Sequence, residues 1–192
     1  MFADWTDRVA VGELPFDKPA RPQGVERNVV VSLWDWGSPT TYLHDAVSTD
    51  RRNPRVNPNG AVYASPEDST DVVAVLDPRT HRAIDLPHPL RDPKTPSVKS
   101  NPYGVSAYWG EQPYWEGHTL NHNPMMDERG RTWFTSRISP DANPDWCHSG
   151  ASAAAKAFPL KGGANRHLGM FDPSTNQWTL VRTCFPTCLL YT

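Results

Sequence analysis

Residues 123–136 read Asn-Pro-Met-Met-Asp-Glu-Arg-Gly-Arg-Thr-Trp-Phe-Thr-Ser, a turn followed by a predicted strand. A turn that ends in Gly130 leads directly into an uninterrupted run of β-forming residues. Glycine supplies the positive φ that such a turn needs, and an aromatic residue shortly after it is well placed to pack between neighbouring sheets. The pattern predicts two short strands joined by a turn, with Trp133 in the seam between sheets.

The same pattern occurs earlier in the chain, which indicates an internal repeat. Residues 59–65 (Asn-Gly-Ala-Val-Tyr-Ala-Ser) resemble residues 129–136, and the turn at Asp77-Pro78 resembles the turn at Asp172-Pro173. Proline presets φ for such a turn. The two Asp-Pro turns lie 95 residues apart, from position 77 to position 172. At roughly 40–50 residues per blade of a β-propeller, that spacing predicts a separation of two blades.

The remaining pattern favours many short strands. Twenty of the 192 residues are proline, roughly twice the average share, and proline disfavours helix interiors and central strands. We predict an all-β chain with long Pro-rich loops: an incomplete β-propeller of about three to four antiparallel blades over residues 28–192. A Pro-rich linker or clamp over residues 1–27 precedes it. The predicted strands cover residues 28–34, 61–64, 72–76, 81–86, 131–136, 167–171 and 177–181.

Propellers usually close with 4–8 blades, so we expect the chain to be part of a larger protein. Its expected partners are the remaining blades of that parent propeller or a neighbouring domain. The net charge is −2 and no run of like charge stands out, so we expect no nucleic-acid partner. No stretch approaches the roughly 20 apolar residues of a membrane span, so we expect no membrane insertion. The N-terminus lacks the features of a signal peptide, which indicates either a cytoplasmic protein or a targeting segment further upstream.

The chain contains three cysteines, and none has the spacing of a zinc finger. Cys147 and Cys184 lie 37 residues apart, while Cys188 is close to the C-terminus. We favour a Cys147–Cys184 disulfide. The alternative is three unrelated free thiols.

Residues 123–135 resemble the blade repeat of the virginiamycin B lyase-like (streptogramin lyase-like) propellers, in which a proline and an Asp-Gly turn precede Trp-Phe-Thr. The longer pattern over residues 24–185, which includes His44-Asp45 and Asp77-Pro78, resembles uncharacterised bacterial secreted propellers. The resemblance implies a periplasmic or extracellular location for the parent protein. Two features depart from the family: Ser136 replaces the usual Glu, and Cys188 with an apolar tail stands where further blades would follow.

Three polar groups precede predicted blade entries and are expected to face one mouth of the propeller: His44-Asp45, Glu116-Gly117-His118 and His122-Asn123. One hypothesis is an enzyme, since the resemblance implies metal-assisted, ring-opening elimination on a lactone ester with a histidine base. Glu116 and His118 would be its catalytic pair, because residues i and i+2 share one face of a strand. The alternative for this pair is a solvated loop.

A second hypothesis is a divalent metal site on the propeller axis, with His44 and His122 as ligands and His118 as a further candidate. Imidazole favours a transition metal such as Fe, Cu or Zn, while the lyase resemblance would also admit Mg. In the alternative interpretation these residues cap turns. The acidic loop over residues 67–71 lacks a known Ca²⁺ spacing, and we favour a solvated turn there.

A third hypothesis, which we favour at this level, is a binding or scaffolding module without catalytic activity. Trp109 and Trp115 would stack a sugar or a peptide, and Asp45 and Asn123 would add polar contacts at the propeller mouth. The alternative is that these aromatic rings pack between blades. The sequence has no GxSxG motif and no Gly-rich phosphate-binding loop, which gives Ser-His-Asp catalysis and nucleotide binding no support.

Overall fold

The computed structural model describes residues 2–13, 23–24, 41–98, 110–111, 115–148 and 163–187. The chain divides into two compact units, residues 1–34 and 35–192. In the first unit, α1 spans Phe2–Ala10, where the sequence predicted an irregular linker. Asp4 lies in the first turn of α1 and Arg8 in its last turn, so both charges complement the helix dipole. The prediction for residues 1–27 rested on their prolines and on their lack of periodicity.

The second unit contains two four-stranded sheets in its described residues, and this confirms the all-β class. The first sheet has the order β1-β2-β3-β4 and the second the order β5-β6-β7-β8, with antiparallel neighbours throughout. A short helix, α2, spans Asp145–His148. Neither helix among the described residues is long and apolar enough to cross a bilayer. The strands are β1 Asp45–Val47, β2 Val62–Ser65, β3 Val72–Asp77, β4 Arg82–Pro87, β5 His122–Met126, β6 Thr132–Ser136, β7 His167–Asp172 and β8 Gln177–Val181.

The two Asp-Pro turns occupy equivalent positions in the two sheets. The turn at Asp77-Pro78 joins β3 to β4, and the turn at Asp172-Pro173 joins β7 to β8. Because β1 and β2 both contact β5, the two sheets are direct neighbours. The 95-residue spacing therefore corresponds to one sheet step, and the predicted separation of two blades is wrong because the loops between strands are long. The strand predicted over residues 28–34 lies outside the described residues.

Facing sides of the two sheets share one apolar core. Tyr63 of β2 packs on Phe171 of β7 with ring centroids 6.0 Å apart, and Phe134 of β6 is fully buried in the same cluster. Trp133 is only half-buried, and its Nε1 donates a hydrogen bond to Asp127 Oδ2 at 2.9 Å. Successive side chains of a strand point to opposite faces, so placing Trp133 in the seam was wrong by one residue.

His88 lies in the seam and is 4% exposed. Its ring lies 4.4 Å from the Trp178 ring, between centroids, and 6.3 Å from the Phe134 ring. Pro89 O can only accept, so the His88 Nδ1–H donates to it at 3.0 Å, and Nε2 accepts from the Ser136 hydroxyl at 2.8 Å. Burial lowers the pKa of His88 to about 4, so the native protein holds a neutral imidazole here.

We expect acid to destabilise the protein through His88. The folded pKa lies below the unfolded value of 6.5, so the unfolded chain binds the extra proton and stability is lost as pH falls from 6.5 to about 4. The loss attributable to this group is about 3 kcal/mol. Urea unfolding of wild type and His88→Gln at several pH values measures it, and the variant should show a shallower slope in that window. Equal slopes would contradict this role.

The predicted disulfide is confirmed. Cys147 of α2 is bonded to Cys184, which follows β8, with a Cα–Cα distance of 5.4 Å. Asn143 Nδ2 donates to Cys184 O at 2.8 Å beside the bridge. Three residues further on, the Thr187 N–H donates to Arg166 O at 3.0 Å, and the Thr187 hydroxyl donates to His167 O at 2.7 Å. The disulfide therefore fixes residues 184–187, and this segment is hydrogen-bonded to the backbone of Arg166 and His167 at the start of β7.

Candidate metal centre

The starts of β1 and β5 bring polar side chains together at one end of the two sheets. Asp45 is the first residue of β1 and His122 the first residue of β5, while His44 immediately precedes β1. Since Asp45 is paired with Ser65 at the end of β2, the loop that follows β2 lies at the same end and carries Glu67. The expectation that His44-Asp45 and His122-Asn123 lie together agrees with this geometry.

A β-bulge in β5 shapes the site. The pairing of β5 with β6 shifts between His122 and Met125, and the two residues between them are Asn123 and Pro124. Asn123 has a φ of 48°, a conformation that Asn tolerates better than most residues, and Pro124 has no N–H to give to the ladder. The Asn123 N–H donates instead to Asp45 Oδ2 at 2.8 Å. Bulges near functional sites re-aim side chains, and this one fixes the Asp45 carboxylate beside His122.

His44, Asp45 and His122 form a compact set of potential metal ligands. The distance from His44 Nδ1 to Asp45 Oδ2 is 3.5 Å, and that from His122 Nε2 to the same oxygen is 3.6 Å. The two imidazole centroids are 4.3 Å apart, with the rings inclined at 62°. One donor atom from each of the three residues lies within 4.8 Å of the other two.

Two of the donor atoms in this set are buried without a hydrogen-bond partner among the described residues. They are Asp45 Oδ1 and His122 Nε2. A buried polar atom without a partner costs about 1–3 kcal/mol, so such atoms require an explanation. The His44 side chain is 43% exposed, against 14% for His122, and therefore opens the cluster to solvent.

Glu67 lies beside the cluster, next to the His44 ring. Its Oε1 accepts from Arg166 Nη2 at 2.6 Å, and its Oε2 accepts from the Tyr42 hydroxyl at 3.3 Å. The same Oε2 lies 3.7 Å from His44 Nε2. Burial opposes the charged form of Glu67, but the hydrogen bond and positive charge of Arg166 outweigh it and lower its pKa. Burial and the Glu67 charge raise the pKa of Tyr42 to about 12, so its phenol stays a donor.

Arg166 also touches the second histidine. Its Nη1 lies 3.1 Å from His122 Nδ1, and its side chain is 17% exposed. Burial lowers the pKa of His122, although the Glu67 and Asp45 charges act in the opposite direction. The His122 ring is therefore neutral near pH 7, which is the form that can bind a metal.

Three residues around the cluster have left-handed backbone conformations. Glu67 has a φ of 46°, Leu120 of 43° and Asn123 of 48°. Such a conformation costs of order 1–3 kcal/mol in a residue with a Cβ and persists where surrounding contacts determine it. Glu67 and Asn123 contact the cluster directly, whereas the other described non-glycine residues with positive φ, Asn57, Asn59, His81 and Asn176, lie in turns elsewhere.

The predicted catalytic pair is arranged differently from the expectation. Glu116 and His118 lie in an irregular segment before β5 and not on a strand, so the i, i+2 rule does not place them on one face. His118 Nδ1 lies 2.6 Å from Asp71 Oδ2, while Asp71 Oδ1 accepts the N–H groups of His118 and Thr119. The carboxylate that orients the His118 ring is Asp71. The catalytic roles of Glu116 and His118 stay predictions.

The aromatic residues divide between the site and the undescribed segments. Trp115 packs on Tyr42 with ring centroids 5.1 Å apart, and Tyr42 lies 6.5 Å from His44 by the same measure. Trp115 is therefore close to the cluster, as a ligand-stacking residue would have to be. Trp109 lies outside the described residues, and its predicted binding role stays open.

Sequence reasoning missed Tyr42, Glu67 and Arg166, which surround the cluster, and Asp71, which binds His118. Glu67 and Asp71 belong to the acidic loop that was interpreted as a solvated turn, yet both carboxylates are engaged by cations or backbone donors. Arg166 carried no signal, because it is 99 residues from its partner Glu67. An Asn-Pro step directly after His122 was the one local hint that β5 bends at the site.

Comparison of the chain with protein-family models, curated proteins and solved structures finds no match in any of the three.

Proposed function

We propose that this end of the two sheets binds a divalent transition metal through His44 Nδ1, the Asp45 carboxylate and His122 Nε2. The observation that carries the proposal is the convergence of these three donors within 4.8 Å, two of them with buried atoms that have no hydrogen-bond partner among the described residues. A cation beside Asp45 Oδ2 would supply the missing partner of His122 Nε2, and it would reach Asp45 Oδ1 when the carboxylate binds through both oxygens. Metal binding is therefore the function that this geometry supports best.

The spacing suits a small metal ion. Metal–ligand bonds of 2.0–2.2 Å in tetrahedral geometry place neighbouring ligand atoms about 3.3–3.6 Å apart. The distances from Asp45 Oδ2 to His44 Nδ1 and to His122 Nε2 are 3.5 and 3.6 Å. The third distance, between the His44 and His122 ligand atoms, reaches this range through a small movement of His44, whose side chain is exposed. Two imidazoles disfavour Mg²⁺, which prefers oxygen ligands, and favour Zn, Fe or Cu.

Three protein ligands leave one or more coordination positions for water or an exogenous ligand, as in catalytic zinc sites and the two-histidine, one-carboxylate sites of iron enzymes. A divalent ion held there would polarise a bound oxygen and acidify a bound water. The chain's own residues orient the ligands: the Asn123 N–H fixes Asp45, and Glu67 faces the outer nitrogen of His44. Such carboxylate–histidine pairs are the usual outer support of a metal ligand.

We further propose that the two sheets are blades of a β-propeller that acts as a binding module. Three features support this. Each sheet is a simple four-stranded meander, and the first strands of the two sheets, β1 and β5, contact each other. The fourth strands, β4 and β8, are largely exposed. A disulfide is compatible with the oxidising compartment expected of an extracytoplasmic parent protein. The streptogramin lyase-like activity stays a prediction of the sequence resemblance.

We expect the protein to bind one Zn²⁺ per chain, and His122→Ala to weaken that binding at least about a hundredfold. Loss of a direct ligand should exceed the 10–100-fold effects typical of outer residues. Competition with a chromophoric zinc chelator measures both affinities. His81→Ala is the matched control, because His81 is exposed in the turn between β3 and β4, at the other end of the sheet.

Wild-type zinc affinity in the His122→Ala variant would show that zinc binds elsewhere. Equal losses of zinc affinity in His122→Ala and in the control His81→Ala would show the same. Circular dichroism of each metal-free variant checks that the sheets remain folded. A result in which His122→Ala and His44→Ala both lose zinc while His81→Ala retains it supports the proposed site.

A further inference from the structure

The outer nitrogens of the two proposed histidine ligands have opposite partners. His44 Nε2 faces the Glu67 carboxylate, an acceptor, at 3.7 Å. His122 Nδ1 faces Arg166 Nη1 at 3.1 Å. A guanidinium carries five N–H donors and no acceptor, so His122 Nδ1 must accept from it. One ligand therefore has the outer partner that metal binding requires, and the other has the reverse.

This difference matters because a neutral imidazole carries one N–H. When one ring nitrogen binds a metal, the other carries the hydrogen and donates it outward. With Arg166 donating to Nδ1, the hydrogen of neutral His122 is on Nε2, the atom that faces Asp45 Oδ2 at 3.6 Å. That nitrogen then has no lone pair to offer a cation.

From this geometry we infer that Arg166 competes with the metal for His122. Arg166 is a positioning residue that holds the His122 ring in the tautomer unable to bind a metal, and its Nη1 contact must break before His122 Nε2 becomes a ligand. The inference rests on the proposed metal site and names a regulator of its affinity. Arg166 thereby lowers the affinity of the proposed site for a metal.

Arg166 has two further contacts that can remain when a metal binds to His122. Its Nη2 holds Glu67 Oε1 at 2.6 Å, and its backbone carbonyl accepts from the Thr187 N–H at 3.0 Å. Of these contacts of Arg166, only the one from Nη1 to His122 has to be lost. Glu67 keeps both its ion pair with Arg166 and its position behind His44.

The positive charge of Arg166 would also repel a cation, and a charge-matched variant separates the two effects. Arg166→Met removes both the donors and the charge. Arg166→Lys keeps the charge, but its single compact ammonium cannot donate to Glu67 and to His122 with the fork geometry of a guanidinium. If the hydrogen bond to His122 is what limits affinity, both variants bind zinc more tightly. Repulsion alone would leave the lysine variant at wild-type affinity.

The experiment measures Zn²⁺ affinity by chelator competition for wild type, Arg166→Met and Arg166→Lys. We expect both variants to bind at least about tenfold more tightly, the lower end of effects seen for outer partners of metal ligands. Arg131→Met is the control, because Arg131 forms a similar 2.6 Å pair with Asp127 at a hairpin turn away from the site. Its zinc affinity should equal that of wild type.

Nitrogen-15 NMR of the His122 ring supplies a second readout that a purely structural role would not affect. In metal-free wild type we expect the hydrogen on Nε2, and in the zinc-loaded protein on Nδ1. A metal-free ring with its hydrogen on Nδ1 overturns the inference. So does unchanged zinc affinity in both Arg166 variants, or tightening in Arg166→Met alone, and in these cases the proposed metal site stands. Absence of zinc binding in wild type and in every variant overturns the proposed site itself.

Discussion

Replacing both Cys147 and Cys184 with serine is expected to lower the free energy of unfolding by about 4 kcal/mol. The bridge closes a loop with a sequence separation of 37 residues, and removing it restores that loop's freedom to the unfolded chain. The folded protein also loses the bond that fixes residues 184–187, and Thr187 of this segment donates a hydrogen bond to the backbone carbonyl of Arg166. Urea unfolding followed by far-UV circular dichroism measures the change.

Wild type in the presence of a strong reductant is the matched control for the serine variant. Reduction should bring the wild-type unfolding curve close to that of the double variant, and the variant itself should not respond to reductant. A loss below about 1 kcal/mol would show that the bridge does not constrain the unfolded chain in the way its loop length implies.

Phe134→Ala is expected to lower the free energy of unfolding by about 4 kcal/mol, within the range for a buried phenylalanine. The Phe134 side chain is fully buried between the sheets, with the Trp178 ring 5.8 Å away between centroids. Its removal leaves a cavity that two packed sheets cannot easily close. Thermal and urea unfolding give the value.

Trp133→Ala is the informative comparison, because the larger ring lies next in sequence and on the opposite face of β6. We expect a loss of only about 1 kcal/mol, chiefly from the hydrogen bond to Asp127 and partly buried ring area. If Trp133→Ala cost more than Phe134→Ala, the register of β6 in this structure would be wrong and the seam would lie on the other face.

Much of the sheet structure was predictable because its signals are local. Turn residues and β-branched runs located β2, β3, β4, β6, β7 and β8 to within a residue or two. The first strand of each sheet was harder to predict: β1 is Asp-Ala-Val and the first half of β5 is His-Asn-Pro, and neither has the pattern of a strand. Both are ordered by their partners β2 and β6, and such non-local pairing has no signature in a short window.

The same division holds for the site. His44, Asp45 and His122 were predicted because each lies near a predicted blade entry, where antiparallel neighbours bring strand ends together. The partners of these residues were not predictable, because the contact from Arg166 to Glu67 joins positions 99 residues apart. The seam showed a related limit: an aromatic pair such as Trp133-Phe134 indicates a packed strand but does not reveal which of its two faces is buried.

X-ray absorption spectroscopy of the zinc-loaded protein identifies the atoms that bind the metal. We expect a first shell at about 2.0–2.1 Å that contains two imidazole nitrogens together with carboxylate or water oxygen. His122→Ala should reduce the imidazole count by one. A shell with no imidazole, or with sulfur at about 2.3 Å, would contradict the assignment of His44, Asp45 and His122 as the metal ligands.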